Sequence, residues 1–160
     1  MQALRDEVRV ITGNAAAAYG AMLCRPDVVA SYPITPHVAT ATLSHLEDFA
    51  QKLLKAREKK NEGFVYLHVF SPCTVGWGVD DDSTIEVCRM AVRTKYFPLW
   101  EAEGGQFRLT HTPATPRPTK EYTRLIRKFR HLSKEELAQL REDVNSNFAF
   151  IRHLAEFAQP

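Results

Sequence analysis

Apolar positions recur along this chain in two rhythms, and the switches between them mark out its elements. Val8, Val10 and Ile11 form a short β-rich run, punctuated by Thr12-Gly13-Asn14, with Asn14 a suitable helix N-cap. AAAAYGAMLC then favours helix apart from Gly20, and Arg25-Pro26-Asp27 stops it. Asp27 to Ile34 is a second β-like run, leading into Pro33-Ile34-Thr35-Pro36. Each proline there biases its predecessor, Tyr32 and Thr35, towards extended backbone. The pattern predicts a βαβ-like unit ending at Pro36, which favours a parallel strand pair.

A clear helix comes next. Ser44 and Glu47 fit a capping box, and Leu46, Phe49, Ala50, Leu53 and Leu54 share one helical face, expected to pack on the core. Phe64 to Phe70 (FVYLHVF) is β-branched and aromatic with almost no polar break, which predicts a central strand buried on both faces of a parallel sheet. Ser71 to Gly78 then forms a loop at a strand C-terminal end, where open α/β sheets collect ligands. Ser83 and Glu86 make a second capping box, and Ile85, Cys88, Ala91 and Val92 give the following helix its apolar face. Phe97 to Glu101 and Gln106 to Thr110 read as a hairpin about Gly104-Gly105. Thr112 to Pro118 is proline-rich and irregular. Tyr122, Leu125, Ile126 and Phe129 then repeat at helical spacing. Ser133 and Glu136 form a third box within a Leu132/Leu137 staple. An apolar stripe follows through Leu137, Leu140, Val144, Phe148, Ile151 and Ala155. Strands alternating with helices predict an α/β fold.

Composition narrows the class. At 160 residues, 44% hydrophobic and 25% charged, the chain has the make-up of one ordinary globular domain rather than a disordered one. A net charge of +2 is too small to imply a nucleic-acid partner, and no apolar run of about 18 residues predicts a membrane span. The N-terminus shows no secretory pattern. Three cysteines (Cys24, Cys73, Cys88) with no CxxC pair argue against a disulfide scaffold or a self-contained zinc site, so a reducing cytoplasmic setting is expected.

Few residues stand out as chemistry. Thr35, stiffened between prolines, either aims a hydroxyl at a ligand or simply completes a proline turn. Cys73, after Pro72 in a glycine-rich loop, is either a metal-ligating thiolate or a small structural loop residue. His68 is expected as a satisfied core histidine, Trp77 as a packing residue and Cys88 as core. Asp80-Asp81-Asp82 suits a helix start, and the basic group from Arg124 to His131 suits a solvated or subunit-facing surface. There is no GxGxxG, P-loop, HExxH or GxSxG motif.

Two stretches nevertheless resemble a known family. TGNAAAAYGA together with YPITP resembles the start of the α subunit of pyruvate:ferredoxin oxidoreductase (pyruvate synthase) and its 2-oxoacid:ferredoxin relatives. HVATATLSHLEDFAQKLLKA, FVYLHVFSPCTVGWG, Phe97-Pro98-Leu99 and Lys120-Glu121-Tyr122 resemble the C-terminal part of the β subunit. The resemblance divides the chain into residues 1–36, α-like, and 37–160, a β-like segment with a helical tail. It implies a fragment of a thiamine-diphosphate-binding-type fold, with a parallel sheet and C-terminal helices. The family decarboxylates a 2-oxoacid such as pyruvate to an acyl-CoA on thiamine diphosphate and Mg²⁺, sending electrons through [4Fe–4S] clusters to ferredoxin. By resemblance Thr35 faces substrate and Cys73 is one [4Fe–4S] ligand. The family's magnesium- and diphosphate-binding segment and its CxxC are missing here. The implication is a truncated or fused component that binds none of these cofactors alone. Its partners would be other subunits, ferredoxin, pyruvate and coenzyme A, with no nucleic acid and no membrane. The remaining alternative is a non-catalytic subunit-interaction module built on the C-terminal stripe.

Overall fold

The computed structural model describes residues 37–157; the expected βαβ unit, Cys24 and Thr35 lie outside the described residues. The element order is β1 (His37–Thr42), α1 (Leu46–Lys59), β2 (Val65–Phe70), α2 (Thr74–Trp77), α3 (Thr84–Arg93), β3 (Leu99–Glu103), β4 (Gln106–His111), α4 (Thr119–Arg124) and α5 (Lys134–Phe157). The four strands make one sheet in the order β2-β1-β3-β4. β1 and β2 are parallel, with α1 as the crossover between them, whereas β3 runs antiparallel to both β1 and β4. The fold is therefore α/β, but the sheet is mixed and not parallel throughout. Gly104 and Gly105, at φ 55° and 83°, close the β3–β4 hairpin in the left-handed conformation that a two-residue turn matched to strand twist requires.

The central position is not held by FVYLHVF. Its strand, β2, lies at the sheet edge, with Phe64 66% and Tyr66 49% exposed and Phe70 its one buried member. An unbroken apolar run reports how much surface a strand wants covered, not which neighbours are there to cover it. The interior place belongs to HVATAT, where His37, Ala39, Ala41 and Thr42 are fully covered although no apolar period marks them. Thr40 joins β1 to the start of β3 through its side chain. Its hydroxyl donates to Pro98 O at 2.7 Å and accepts from Trp100 N at 2.9 Å.

Directly opposed residues of neighbouring strands share a face. Ala39 stands opposite both Leu67 and Glu101, so Val65, Leu67, Val69 and Glu101 lie on one face, and Phe64, Tyr66, His68 and Phe70 on the other. α1 covers the first face, but not by its leucines. Leu46, Leu53 and Leu54 are 65%, 47% and 58% exposed, while Lys52 is 1% exposed. The helix has rolled because the sheet beneath it offers Thr40, Glu101 and Thr110 as partners for lysines. The second face carries the core. There Phe70 meets Phe97 at 5.0 Å and Trp77 at 5.8 Å between ring centroids. α3 adds Val87, Cys88, Ala91 and Val92, with Tyr122 and Ile126 completing the cluster. Ile85, expected on that apolar face, is 43% exposed instead.

Caps divide similarly. The box at Ser133 and Glu136 forms reciprocally, Ser133 N donating to Glu136 Oε2 at 2.7 Å and Glu136 N to Ser133 Oγ at 3.1 Å. The other two do not form. Ser44 Oγ pairs with His45 Nδ1, and Ser83 makes no capping bond while Glu86 pairs with Arg89. The expected helix through Phe129 stops at Arg124 and resumes as a 3-10 turn, Arg127–Phe129. The stripe on α5 packs within the molecule against β4, burying Val144 and Phe148. Among the described residues no helix is long and apolar enough to cross a membrane.

Candidate functional site

Two places gather chemistry-bearing side chains. The first is the loop after β2. Pro72 is buried and anchors it, and Cys73, exposed, begins the single turn of α2. The Cys73 sulfur accepts a hydrogen bond from Gly76 N at 3.2 Å. A Cβ on Gly76 would stand 3.1 Å from that sulfur, so the close approach depends on glycine. Gly78 ends the turn at φ 63°, its N–H turned back to Thr74 and Val75 carbonyls, while its own carbonyl accepts from Arg127 N at 3.3 Å. Arg127 also pairs with Asp80 at 2.5 Å, which locks the loop to the segment after α4. The result is a stiff loop at a strand C-terminal end that presents one thiol to solvent.

The second place is a recess of about 500 Å³ between α1 and the β3–β4 hairpin. Lys52 Nζ donates to Thr40 O at 2.8 Å, Asp48 Oδ2 at 2.6 Å and Thr110 Oγ1 at 2.7 Å, which uses all three of its protons. Burial pushes the Lys52 pKa below the usual lysine value, against the pull of Asp48. Glu101, 4% exposed, is opposed by burial too, yet the Arg108 guanidinium and Lys55 hold its carboxyl down to about 2. His37, fully buried, brings Nε2 to 3.4 Å from Glu101 Oε2. At the rim, His45 and His111 meet edge-on with centroids 4.5 Å apart, and burial followed by the His111 charge lowers the His45 pKa. A carboxylate locked ionised and a fully bonded lysine are poor proton shuttles near neutrality. They act as a clamp that ties α1 to β3 and β4.

The residues predicted from the sequence are therefore dispersed. Cys73 is exposed, but Cys88 is buried on α3, with its thiol 3.9 Å from Phe70 O. His68 is not a core histidine. It is exposed on β2, edge-on to Phe97 at 5.3 Å. Trp77 packs against Phe70 as expected, and Asp81 opens a 3-10 turn ahead of α3. Thr35 lies outside the described residues. Among the described residues no group of three or more His, Cys, Asp or Glu side chains is placed to hold a metal ion. Lys52, Glu101 and His37 carry no motif. The available signal was the lysine spacing 52, 55, 59 on one flank of α1, facing Glu101 and Glu103 at alternate positions of β3.

No family model matches the chain. Individual proteins do. Pyruvate synthase subunit PorB of Methanothermobacter marburgensis is 43% identical over 121 residues, 76% of this chain and 41% of that subunit. Ketoisovalerate oxidoreductase subunit VorB of Pyrococcus abyssi is 36% identical over 132 residues, 81% of this chain and 42% of that subunit. The β subunit of the NADH-dependent phenylglyoxylate dehydrogenase of Aromatoleum evansii is 37% identical over 125 residues, 76% of this chain and 28% of that subunit. The chain thus spans about two fifths of the length of the first two relatives.

Proposed function

We infer that this chain, homologous over three quarters of its length to β-type subunits of the 2-oxoacid:ferredoxin oxidoreductases, serves as a component of such an enzyme. The reaction is the oxidative decarboxylation of a 2-oxoacid, pyruvate foremost, to an acyl-CoA in the cytoplasm. Thiamine diphosphate with Mg²⁺ and [4Fe–4S] clusters supply the chemistry when bound, and electrons leave to ferredoxin. In this reading the β1–α1–β2 unit is part of a thiamine-diphosphate-binding-type fold, Thr35 faces the substrate, and Cys73 is one thiolate ligand of a cluster.

The observation that carries the reading is Cys73 itself. It is an exposed thiol on a rigid loop at the C-terminal end of a parallel strand, with an amide N–H directed at its sulfur. Such outer hydrogen bonds orient and tune a ligated thiolate. A four-iron cluster takes four ligands, and the described residues present one exposed thiol and no ligand group of three. The described residues do not fit a complete cluster, and in this reading the remaining ligands and the magnesium-binding carboxylates belong to other parts of the assembled enzyme. In this reading the chain is a truncated or fused component, inactive alone.

Anaerobic reconstitution with iron and sulfide tests this. The full chain alone should give no stoichiometric [4Fe–4S] absorbance. Assembled with the other oxidoreductase subunits it should give one that Cys73→Ala removes. A stable cluster on the chain alone, or one in the assembly indifferent to Cys73→Ala, would overturn the reading. The alternative is a pure interaction module built on the α5 stripe and the basic segment before it; within the stripe Val144 and Phe148 are buried where α5 meets β4.

A further inference from the structure

We propose that the groove between α4 and the first two turns of α5 binds a small organic phosphate, with the phosphate held by Lys120, Lys134, Arg141 and Thr119. The site goes beyond the reading built on Cys73 and shares no residue with that loop.

The groove measures about 390 Å³, within the range of about 300–1,000 Å³ usual for small-ligand sites. Helical spacing brings its two walls together. On α5, Lys134, Leu137, Ala138 and Arg141 stand at i, i+3, i+4 and i+7 and so share one face. Across from that face, α4 supplies Thr119, Lys120 and Thr123, with Pro118 at its N-cap. Pro118, Leu137 and Ala138 make the apolar part of the lining.

The charge of the groove is one-sided. Lys120, Lys134 and Arg141 line it and no Asp or Glu does. Among the described residues none of these three cations has an ion pair. Cations elsewhere in the chain are answered. Arg117 pairs with Glu121, and Arg127 with Asp80. The recess under α1 sets Lys52, Lys55 and Arg108 against Asp48 and Glu101. Three like charges around one groove repel one another, and an anion seated among them replaces that repulsion with attraction.

Thr119 is the independent observation. It is 7% exposed and lines the groove, yet its hydroxyl makes no hydrogen bond with any described residue. Thr123, equally buried, gives its hydroxyl to Lys120 O at 3.2 Å. A hydroxyl at such depth is costly to leave without a partner, and a ligand oxygen in the groove supplies one.

These groups select phosphate over carboxylate. A carboxylate offers two oxygens and a single charge to three cations and a hydroxyl. A phosphate monoester offers three terminal oxygens and a charge of about −1.5 to −2 at neutral pH. Arg141 suits it through paired N–H donors, and the lysines add compact charges. The organic group on the phosphate then lies against Pro118, Leu137 and Ala138, so an ester is favoured over the inorganic ion.

Calorimetric titration of the full chain at low salt tests this, with phenyl phosphate compared against inorganic phosphate, benzoate and an oligoglutamate peptide. Phenyl phosphate should saturate one site and bind at least about fivefold more tightly than each of the other three. Lys120→Gln and Arg141→Gln should each weaken it by about fivefold or more, while circular dichroism and the melting temperature of the free chain stay unchanged. Thr119→Val should weaken it as well; if that variant fails to fold, the two exposed cations decide. Lys128→Gln, outside the groove, should leave binding as it was. The proposal is overturned if phenyl phosphate shows no saturable binding, or if its binding is indifferent to both Lys120→Gln and Arg141→Gln. A loss as large in Lys128→Gln would also overturn it, as unspecific attraction to a basic surface. Benzoate or inorganic phosphate binding as tightly as phenyl phosphate would remove the organic phosphate as ligand, and tighter binding of oligoglutamate would give the groove to an acidic polypeptide instead.

Discussion

Gly78 and Gly104 both hold positive φ, at 63° and 55°, yet they are not equally replaceable. A Cβ on Gly104 meets nothing within 4 Å, so the cost of Gly104→Ala is backbone strain alone, about 1 kcal/mol. A Cβ on Gly78 would stand 2.8 Å from Arg127 Cβ, a part of the side chain that cannot swing away. Gly78→Ala should therefore cost roughly 3 kcal/mol, the strain plus displacement of the segment that backs the Cys73 loop. Equal shifts in urea midpoint for the two variants would show that the loop does not depend on this contact. Glu101 gives the second residue-scale expectation. Its folded carboxyl sits at about 2 against 4.5 for an unperturbed glutamate, so its contribution is fully present above about pH 4.5 and lost as pH falls towards 2. That difference corresponds to about 3 kcal/mol. Urea titrations between about pH 5 and about pH 2 should show a falling stability that flattens in Glu101→Gln. A limb just as steep in the variant would place the acid sensitivity elsewhere. Neither residue was legible as a site. Gly78 reads as a turn glycine and Glu101 as a strand residue, because their partners, Arg127 and Arg108 with Lys55, are set by folding and not by spacing.

At the scale of elements, the hairpin about Gly104-Gly105 and the helix from Leu46 were legible, because each depends on signals within a few residues of itself. The failures are those of orientation. The Leu46–Leu54 stripe correctly predicts a helix and wrongly predicts its buried flank, since Lys52 and Lys55 find acceptors on β3 and β4 that no local pattern reveals. β1 was missed because its alternating Ala and Thr give no apolar period, although their small size suits a strand packed under α1 and flanked on both edges. Capping shows the same limit. Three Ser-x-x-Glu sequences are alike on paper, and only Ser133 with Glu136 closes the reciprocal pair. Ser133→Ala should lower stability by about 1 kcal/mol, and Ser44→Ala and Ser83→Ala by no more than about 0.5 kcal/mol. Thermal melts of the three variants decide it. A loss at Ser83 equal to that at Ser133 would mean that the second box forms in solution.

Across the whole described body, the two faces of the sheet do different work. The face under α1 is held mainly by ion pairs and lysine hydrogen bonds, whereas the face under α3 carries the apolar cluster of Phe70, Phe97, Leu99, Tyr122 and Ile126. The cysteine of interest belongs to the second face's border, where α2 leads from β2 into that cluster. The candidate site was legible to this extent: Pro72, Gly76 and Gly78 around Cys73 announce a constrained loop, and the structure supplies the stiffening. What the loop serves is carried by homology, because a lone thiol has no partner set to name its ligand. This division of labour sets the last expectation. Ile126, 1% exposed, leaves a cavity if truncated, and Ile126→Ala should cost about 2–5 kcal/mol. Leu46→Lys, at a position 65% exposed that periodicity alone would assign to the core, should change stability by no more than about 0.5 kcal/mol. Urea unfolding of the full chain, followed by circular dichroism, compares them directly. If Leu46→Lys proved as damaging as Ile126→Ala, the leucine flank of α1 would be covered in the chain alone, and the two-faced account of its stability would fall with it.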